Sequence, residues 1–507
     1  MRACRLSLLV AAALAVAASP CAAAAFDPAP WRQDYAQLKQ ALEREYANLA
    51  WFASPQGGVD LPALDRATAR ALDSAENDAQ AERALRDFVA GFGDGHFSFV
   101  PSLQPPAAEP VAAPPPADAR RLDPAAGCAA LGYDGGDARV PFSLPFESLP
   151  GFSLLDDGIA GPFRSGLMVT AQGARIGVVR LKEFSRESYP SLCLAAWADP
   201  EVVGAGAGAS DAQAWRSRLR ARIDEDWYGA LEAQLKRLAA LGARALIVDV
   251  GRNGGGDDSG DIATRLFTRK PLHSSPLLVS QSPTAAGYLD EQLDNLAQAH
   301  GFGPDAQATQ ALDRQTERLR AARTDAREGR CDLSWVWRER RDWNGGHCRR
   351  LVEAGSAGGP LDNLPAGAYG NARVAKRLHW PIQMDDHWGA WDGPLYVLTD
   401  ARTFSAAEMF AATLRNNGVA RTLGQRTGGD GCGFMLSVEP LTLQRSRLRL
   451  RMPNCVRLRS DGSDEVAGIA PDLPLPPREG ENARARAQRA IAAVVADWPA
   501  QFGGAGR

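Results

Sequence analysis

The chain lacks the features that mark several large classes of protein. Its 57 basic and 60 acidic side chains nearly balance, which gives a formal net charge of −3, and no long block is rich in lysine or arginine. This balance argues against nucleic acid as a partner. Beyond the N-terminus, no segment approaches the roughly 20 apolar residues of a transmembrane helix. No two cysteines have the Cys-x-x-Cys spacing typical of zinc, so we predict no bound metal.

What is present is sufficient for a large folded protein. The 507 residues are 45% hydrophobic and 23% charged, which predicts a sizeable core divided between two or three structural units. A glycine cluster at 254–256 follows an apolar run. Its glycines are consecutive and match neither a dinucleotide fingerprint nor a phosphate loop. We therefore predict no cofactor.

The first 25 residues have the pattern of an export signal. Arg2 and Arg5 precede an apolar run over 6–18, and small residues follow up to Ala25. This order is typical of a secretory signal peptide, with cleavage predicted near Ala25. A lipid anchor on Cys21 is the alternative. The expected location is therefore periplasmic or secreted.

Six cysteines remain once the predicted signal is removed. An even number in an oxidising compartment indicates disulfides. Fifteen pairings are possible, and the order along the chain suggests pairing neighbours: Cys128 with Cys193, Cys331 with Cys348, and Cys432 with Cys455.

Residues 27–98 are expected to form a small N-terminal helical unit. Apolar residues recur at steps of three and four from Trp31, a second helix is predicted near 61–72, and a third is predicted to begin at Asn77. The glycines around His96 break this pattern at a sharp turn. Residues 99–167 are then predicted to form a linker and a small β region.

The next segments alternate between strand and helix patterns. An apolar run at 175–181, a helical pattern over 212–240 and a second apolar run at 245–250 predict parallel strands joined by a right-handed crossover. We assign 168–282 to the first part of a core domain and 393–475 to its second part. A final helix is expected within 476–507.

Residues 283–392 interrupt this alternation and are predicted to form an inserted helical and tryptophan-rich cap. An exposed aromatic cluster here would either gate a cleft or support self-association. The same segment contains Asp385-Asp386-His387. Such a cluster is a possible metal ligand set, although in a loop it is more often a solvated turn.

Ser405 stands between an apolar run at 395–398 and a helical pattern. A serine at this position lies where the first backbone N–H groups of a helix have no partner, and such a site favours negative charge. It could act as a nucleophile in acyl transfer. Alternatively, Ser405-x-x-Glu408 is a capping box that only starts the helix.

Other motifs bear on this choice. The chain contains, in order, Gly93-Asp94-Gly95-His96, Asp249-x-x-x-Asn253-Gly254-Gly255-Gly256, Thr403-x-Ser405-Ala406-x-Glu408, Gly424-x-x-Thr427-Gly428-Gly429-x-Gly431 and Gly468-Ile469-x-Pro471-Asp472. Together they resemble the tail-specific (C-terminal processing) serine proteases over residues 27–475, without a recognisable PDZ module between 100 and 167. The resemblance implies an α/β fold with a crotonase-like protease core, a twisted β-sheet wrapped by crossover helices.

The family divides by the residue that serves as catalytic base. Members similar to bacterial processing proteases pair the serine with a downstream lysine, but here that position holds Asp430 and no lysine follows Lys376. The other branch resembles the tricorn protease core and uses a histidine from the helical unit. His96 matches that histidine, and an imidazole with a pKa near ~6.5 can accept a proton at neutral pH.

The resemblance also implies a role for each residue of the site. Ser405 is the expected nucleophile, His96 the base and Glu465 the orienting acid, with Asp464 as the alternative acid. The backbone N–H groups of Ala406 and Gly255 are expected to form the oxyanion hole. Glu408 is expected to cap the helix, and Asp94 to hold the turn before His96.

These residues predict an exported serine endopeptidase that cleaves polypeptides through an acyl-enzyme. Two other functions fit the same sequence. One is a catalytically inactive protein that binds a ligand or peptide on this fold, and the other is a serine esterase.

Overall fold

A computed structural model describes residues 26–101, 119–133, 140–159, 161–203, 209–329, 331–429, 431–435 and 439–502. The predicted signal peptide, including Cys21, lies outside these residues.

Within this part of the chain the α-helices are distributed along the whole sequence. Their bounds are α1 Ala29–Glu45, α2 Leu49–Phe52, α3 Leu61–Asp73, α4 Asp78–Ala90, α5 Pro124–Ala130, α6 Pro190–Trp197, α7 Pro200–Val203, α8 Ala209–Ala240, α9 Ser259–Ile262, α10 Pro283–His300, α11 Ala306–Glu328, α12 Ala372–Leu378, α13 Ser405–Asn416 and α14 Ala483–Phe502.

The strands form one large and two small sheets. Their bounds are β1 Ser98–Val100, β2 Phe152–Asp157, β3 Arg164–Val169, β4 Arg175–Arg180, β5 Ala245–Asp249, β6 Pro276–Ser280, β7 Leu351–Ser356, β8 Leu395–Thr399, β9 Ala420–Gly424, β10 Leu441–Thr442, β11 Arg449–Arg451, β12 Cys455–Arg457 and β13 Leu473–Pro474. The large sheet has the order β13-β9-β8-β5-β4-β3-β2, and the small sheets are β1-β11-β10 and β12-β6-β7.

The large sheet is parallel from β4 through β5, β8 and β9 to β13, while β2 and β3 add antiparallel strands at one edge. Helix α8 connects β4 to β5, which are parallel neighbours, as the crossover pattern predicts. One face of the sheet packs on α8 and α13, and the other on α14. The predicted α/β core with crossover helices is confirmed.

Strands β2 and β3 extend this sheet into a segment that the sequence assigns to a linker and small β region. Leu154 on β2 is exposed, whereas Leu167 and Met168 on β3 are buried. The single-residue irregularity between Leu154 and Asp156 breaks the regular alternation that would identify β2 from sequence. The pairing of β3 with β4 and of β2 with β3, rather than a local sequence pattern, therefore defines these strands.

The N-terminal helical unit forms as the apolar spacing predicts. Asn77 precedes α4, and its side-chain oxygen accepts the N–H of Gln80. The Gln80 side chain in turn accepts the N–H of Glu76. The first bond satisfies a donor of the first helical turn, and the second attaches the residue before the N-cap to that turn, which explains why the helix begins at this point.

The tryptophans of the 283–392 segment do not form an exposed aromatic cluster. Trp335, Trp337 and Trp343 are buried in the same core as the N-terminal helices, and Trp391 is buried in the main core. Trp343 also meets Trp51 edge to face at 5.3 Å between ring centroids. The aromatic residues therefore attach this segment to the rest of the protein.

His387 is not part of a solvated turn. Its Nδ1 lies 2.7 Å from Glu232 Oε2 and its Nε2 lies 3.0 Å from Glu225 Oε1, both on α8. Residues seven apart on a helix lie on one face, so the two glutamates hold the imidazole between them. The sequence missed this because the partners lie more than 150 residues away.

All three predicted disulfides are present: Cys128–Cys193, Cys331–Cys348 and Cys432–Cys455. In the described residues, every helix is too short or too polar to cross a bilayer.

Candidate functional site

Ser405 is the first residue of α13, directly beyond β8 in the large sheet. Its backbone has φ +51°, in the left-handed region that non-glycine residues seldom adopt. Phe404, not Ser405, occupies the N-cap position, and no side chain caps the helix. The capping-box interpretation is therefore wrong, because Ser405 already lies within the first turn in a conformation that local sequence does not favour.

Glu408 is likewise not a helix cap. It is completely buried, and one carboxylate oxygen accepts a hydrogen bond from the Arg459 guanidinium. Burial raises its pKa to about 7, and the nearby Glu465 carboxyl adds to the rise while Arg459 opposes it. Because Arg459 lies 51 residues further along the chain, spacing alone could not reveal this pair.

The glycine cluster after β5 packs directly against Ser405. A Cβ atom on Gly255 would lie 2.6 Å from the Ser405 Cβ and 3.0 Å from the Ala406 nitrogen. The Phe404 N–H donates to the Asn253 carbonyl at 3.0 Å. Only glycine permits this approach at 255, where φ is +109°.

The two predicted oxyanion donors differ in their present bonding. Among the described residues, the Ala406 N–H has no hydrogen-bond partner. The Gly255 N–H donates to the Asn253 side-chain oxygen at 2.9 Å. Asn253 precedes the glycines in the same motif, and its side chain therefore controls whether the Gly255 N–H can serve as an oxyanion donor.

His96 lies on a turn that Asp94 holds in place. Asp94 Oδ1 accepts the backbone N–H groups of His96 at 2.8 Å and Phe97 at 3.2 Å. Its Oδ2 accepts the Tyr46 hydroxyl at 2.6 Å. Both carboxylate oxygens are thus engaged, in agreement with the structural role expected for Asp94.

One loop, residues 427–435, contacts all three predicted catalytic residues; Asp430 lies outside the described part of it. The Ser405 N–H donates to the Gly429 carbonyl at 3.4 Å. Glu465 Oε1 accepts the Cys432 N–H at 2.6 Å. A Cβ atom on Gly433 would lie 2.8 Å from the His96 ring. In the described part of the chain, however, no hydrogen bond joins the His96 ring to Ser405 or Glu465.

Glu465 is buried against this loop. Its Oε1 also accepts the Arg457 N–H at 2.8 Å, and Oε2 has no hydrogen-bond partner among the described residues. Burial raises the pKa of Glu465, and the charges of Arg457 and Arg459 limit the rise. The alternative acid, Asp464, caps the short turn Glu465–Ala467 through its bond to the Val466 N–H.

Arg457 is a member of the site that the sequence analysis missed. Its Nη1 donates to the Gly431 carbonyl at 2.9 Å and its Nη2 donates to Asp258 Oδ1 at 3.0 Å. The side chain thereby connects loop 427–435 to the segment that follows the glycine cluster. Asp258 lies 199 residues before Arg457, so only the folded chain brings them together.

The environment of His96 favours the neutral imidazole. Burial is the main cause that lowers the pKa of His96, and the charges of Arg451 and Arg457 lower it further. The Asp94 carboxylate opposes them. A neutral imidazole at neutral pH has a lone pair available to accept a proton.

The raised pKa of Glu408 predicts a measurable pH dependence of stability. Between its ordinary 4.5 and about 7, the unfolded chain has lost a proton that the folded chain retains. The free energy of unfolding therefore falls as pH rises. Relative to Glu408→Gln, we expect the wild type to lose roughly 3 kcal/mol between about pH 4.5 and about pH 7.5 in urea unfolding. A constant difference between the two proteins would contradict the assignment.

Solved structures show what this fold is similar to. The chain is 15% identical to mature CPAF complexed with lactacystin, with a TM-score of 0.52 over 93% of this chain and 99% of that one. A putative peptidase from Parabacteroides merdae is 15% identical, with a TM-score of 0.44 over 94% and 99%. The photosystem II D1 C-terminal processing protease is 12% identical, with a TM-score of 0.31 over 90% and 99%. At these identities, the similarity to CPAF supports the fold alone.

No curated protein matches the chain. Residues 175–475, more than half of the sequence, match the family model for peptidase family S41. This match covers β4 to β13, including the glycine cluster, Ser405 and Glu465. The expected resemblance to tail-specific serine proteases is thereby confirmed, and the chain belongs to peptidase family S41.

Proposed function

We propose that this protein is an exported serine endopeptidase that cleaves polypeptides by way of an acyl-enzyme. Membership of peptidase family S41 supports a peptidase activity for this chain. The observation that carries the specific proposal is the left-handed Ser405 at a helix start, beside the close Gly255 and the Ala406 N–H, which has no partner within the described part of the chain. Three disulfides are compatible with an oxidising compartment outside the cytoplasm.

In the proposed mechanism, the Ser405 Oγ attacks the peptide carbonyl while His96 takes the hydroxyl proton. His96 then returns the proton to the leaving amine, and water repeats the sequence on the acyl-enzyme. The Glu465 carboxylate balances the charge of the imidazolium that forms. Its Oε2 has no hydrogen-bond partner among the residues that the structure describes and is available for this role, whereas Oε1 accepts two backbone N–H groups.

The oxyanion of the tetrahedral intermediate would accept the N–H groups of Ala406 and Gly255. Gly255 must release the Asn253 side chain to do so, whereas the Ala406 N–H has no partner to release among the described residues. Each donor of this kind is worth about 3 kcal/mol in the transition state. Catalytic hydrogen bonds often tighten only when substrate binds, and we propose that loop 427–435, which contacts all three residues, moves His96 into reach of Ser405.

The first test is labelling by a fluorophosphonate, which reacts with activated serines. We expect the wild type and Ser148→Ala, a change of an exposed serine, to be labelled, and Ser405→Ala not to be labelled. Absence of labelling on folded wild type would instead favour a non-catalytic binding protein. Labelling together with hydrolysis of small esters, but no cleavage of peptides, would favour an esterase.

A further prediction concerns His96 and the pH dependence of kcat/KM. Activity requires the neutral imidazole and is lost as pH falls through its pKa, which lies below the ordinary 6.5. We expect His96→Ala to lower kcat/KM by at least ~10³-fold and to abolish this acid limb. His300→Ala, which changes an exposed histidine, should retain both. Near-normal turnover of His96→Ala would contradict its assignment as the base.

Another prediction uses two disulfides of similar loop length. Cys432–Cys455 spans 23 residues and connects loop 427–435 to β12, whereas Cys331–Cys348 spans 17 residues in the 283–392 segment. Replacing either pair with serine should cost a similar amount of stability, about 3 kcal/mol. Below the unfolding temperature, we expect the first double variant to lose at least ~10-fold in kcat/KM.

The second double variant should lose less than ~3-fold, because it leaves the loop contacts of His96 and Glu465 intact. Equal losses of kcat/KM in the two folded variants would show that Cys432–Cys455 has no specific role in the site.

A further inference from the structure

A cavity of about 660 Å³ is lined in part by Phe434, whose ring contacts His96, and the mechanism above does not use it. Its walls come from the end of α1, from the β10–β11 hairpin and from loop 427–435. Phe434, Met435, Leu441 and Met452 supply an apolar lining, and Arg449 and Arg451 face the cavity from β11. Leu450, between the two arginines, also borders the cavity and is buried in the core of the helical unit.

Phe434 connects this cavity to the candidate base. Its ring meets the His96 ring edge to face, with 5.6 Å between centroids. The same phenylalanine lines the cavity and is only half-buried. A group bound in the cavity would therefore lie one aromatic ring away from the imidazole.

Arg451 gives the cavity an uncompensated positive charge. Its guanidinium lies 4.0 Å from the centroid of the Phe434 ring, its side chain is exposed, and no carboxylate in the described residues pairs with it. The other charges of the cavity have partners: Arg449 lies 3.5 Å from Glu439 and donates to the Pro101 carbonyl, and Glu45 lies 3.7 Å from Arg44. An incoming acidic group would find Arg451 available.

We propose that this cavity is a substrate subsite that accepts a polypeptide segment with an apolar side chain next to an acidic one. The apolar side chain packs on Phe434, Met435 and Met452, and the acidic side chain pairs with Arg451. Arg451 is then a specificity-determining residue. The inference rests on the proposed peptidase function and adds the class of sequence that it selects.

The two parts of the subsite contribute unequally. An apolar pocket discriminates by about 10- to 200-fold for each methylene-sized difference. An exposed ion pair contributes much less, on the scale of a few-fold. Reversing the charge of Arg451 replaces an attraction to acidic peptides by a repulsion. The ratio of kcat/KM for acidic over basic peptides should therefore change, from wild type to the reversed variant, by roughly the square of the wild-type preference.

The test compares peptides within each variant, because the Arg451 charge also affects His96 together with Asp94 and Arg457. A peptide mixture first identifies a cleaved site in the wild type. Matched peptides then carry Leu-Asp, Leu-Lys or Ser-Asp at each position flanking that site. Taking the ratio of kcat/KM for two peptides on one protein cancels any effect of the variant on the chemical step.

We expect the wild type to prefer Leu-Asp over Leu-Lys by at least ~3-fold at one flanking position. Arg451→Glu should invert that preference, and Arg451→Met should abolish it. Arg70→Glu, which makes the same charge change at an exposed position on α3, should keep the wild-type ratio. Met452→Ser should reduce the preference for Leu-Asp over Ser-Asp by at least ~3-fold.

An acidic-to-basic ratio that is the same in wild type, Arg451→Glu and Arg451→Met would overturn the subsite, as would a wild type that cleaves peptides without preference for Leu-Asp. In both cases the proposed peptidase activity would stand. A folded wild type that neither cleaves peptides nor reacts with a fluorophosphonate would overturn the proposed function, and the subsite with it.

Discussion

The parallel pairing of β5 with β8 is the constraint on which the candidate site depends. Their register aligns Asp249 with Leu398, so both strands end at the same edge of the sheet. The glycine cluster after β5 and the turn before α13 must therefore meet. They meet so closely that Gly255 has no room for a side chain, and the N–H of Phe404 reaches the carbonyl of Asn253.

The parallel pairing of β9 with β8 brings loop 427–435 to the same edge of the sheet. The loop follows β9, the parallel neighbour of β8, and so begins at the edge where Ser405 stands. From there it runs past Glu465 to β12, to which the Cys432–Cys455 disulfide attaches it. The helical unit contributes His96, whose ring meets that of Phe434 in the same loop. The loop therefore contacts Ser405, Glu465 and His96, which are far apart in sequence.

Around this loop the protein buries several charged side chains. Glu408, Asp464 and Glu465 lie within the protein beside Arg457 and Arg459, and several of their polar atoms have no partner among the described residues. Buried ion pairs seldom increase stability, because desolvation offsets their attraction. Perturbed pKa values in such a cluster are typical of functional sites. Here burial raises the pKa values of the three carboxyls and lowers the pKa of His96.

The sequence by itself determined the local elements and the identity of the motifs. Helical spacing located α1, α3 and α4, apolar runs located β4, β5 and β8, and the order of the cysteines suggested the three disulfides that form. The motifs also identified Ser405, His96 and Glu465 as candidates, since each lies in a short pattern that contiguous residues define.

The tertiary structure decided everything that depends on partners distant in sequence. Local pattern made Ser405 and Glu408 a helix cap, but packing against Gly255 holds the first in a left-handed conformation and Arg459 binds the second. Only the folded chain shows Arg457 between loop 427–435 and Asp258, or places Arg451 and Phe434 beside His96. The physical reason is that periodicity and motif spacing record local backbone preference. Burial and charge pairing instead depend on which segments the sheet brings to one edge.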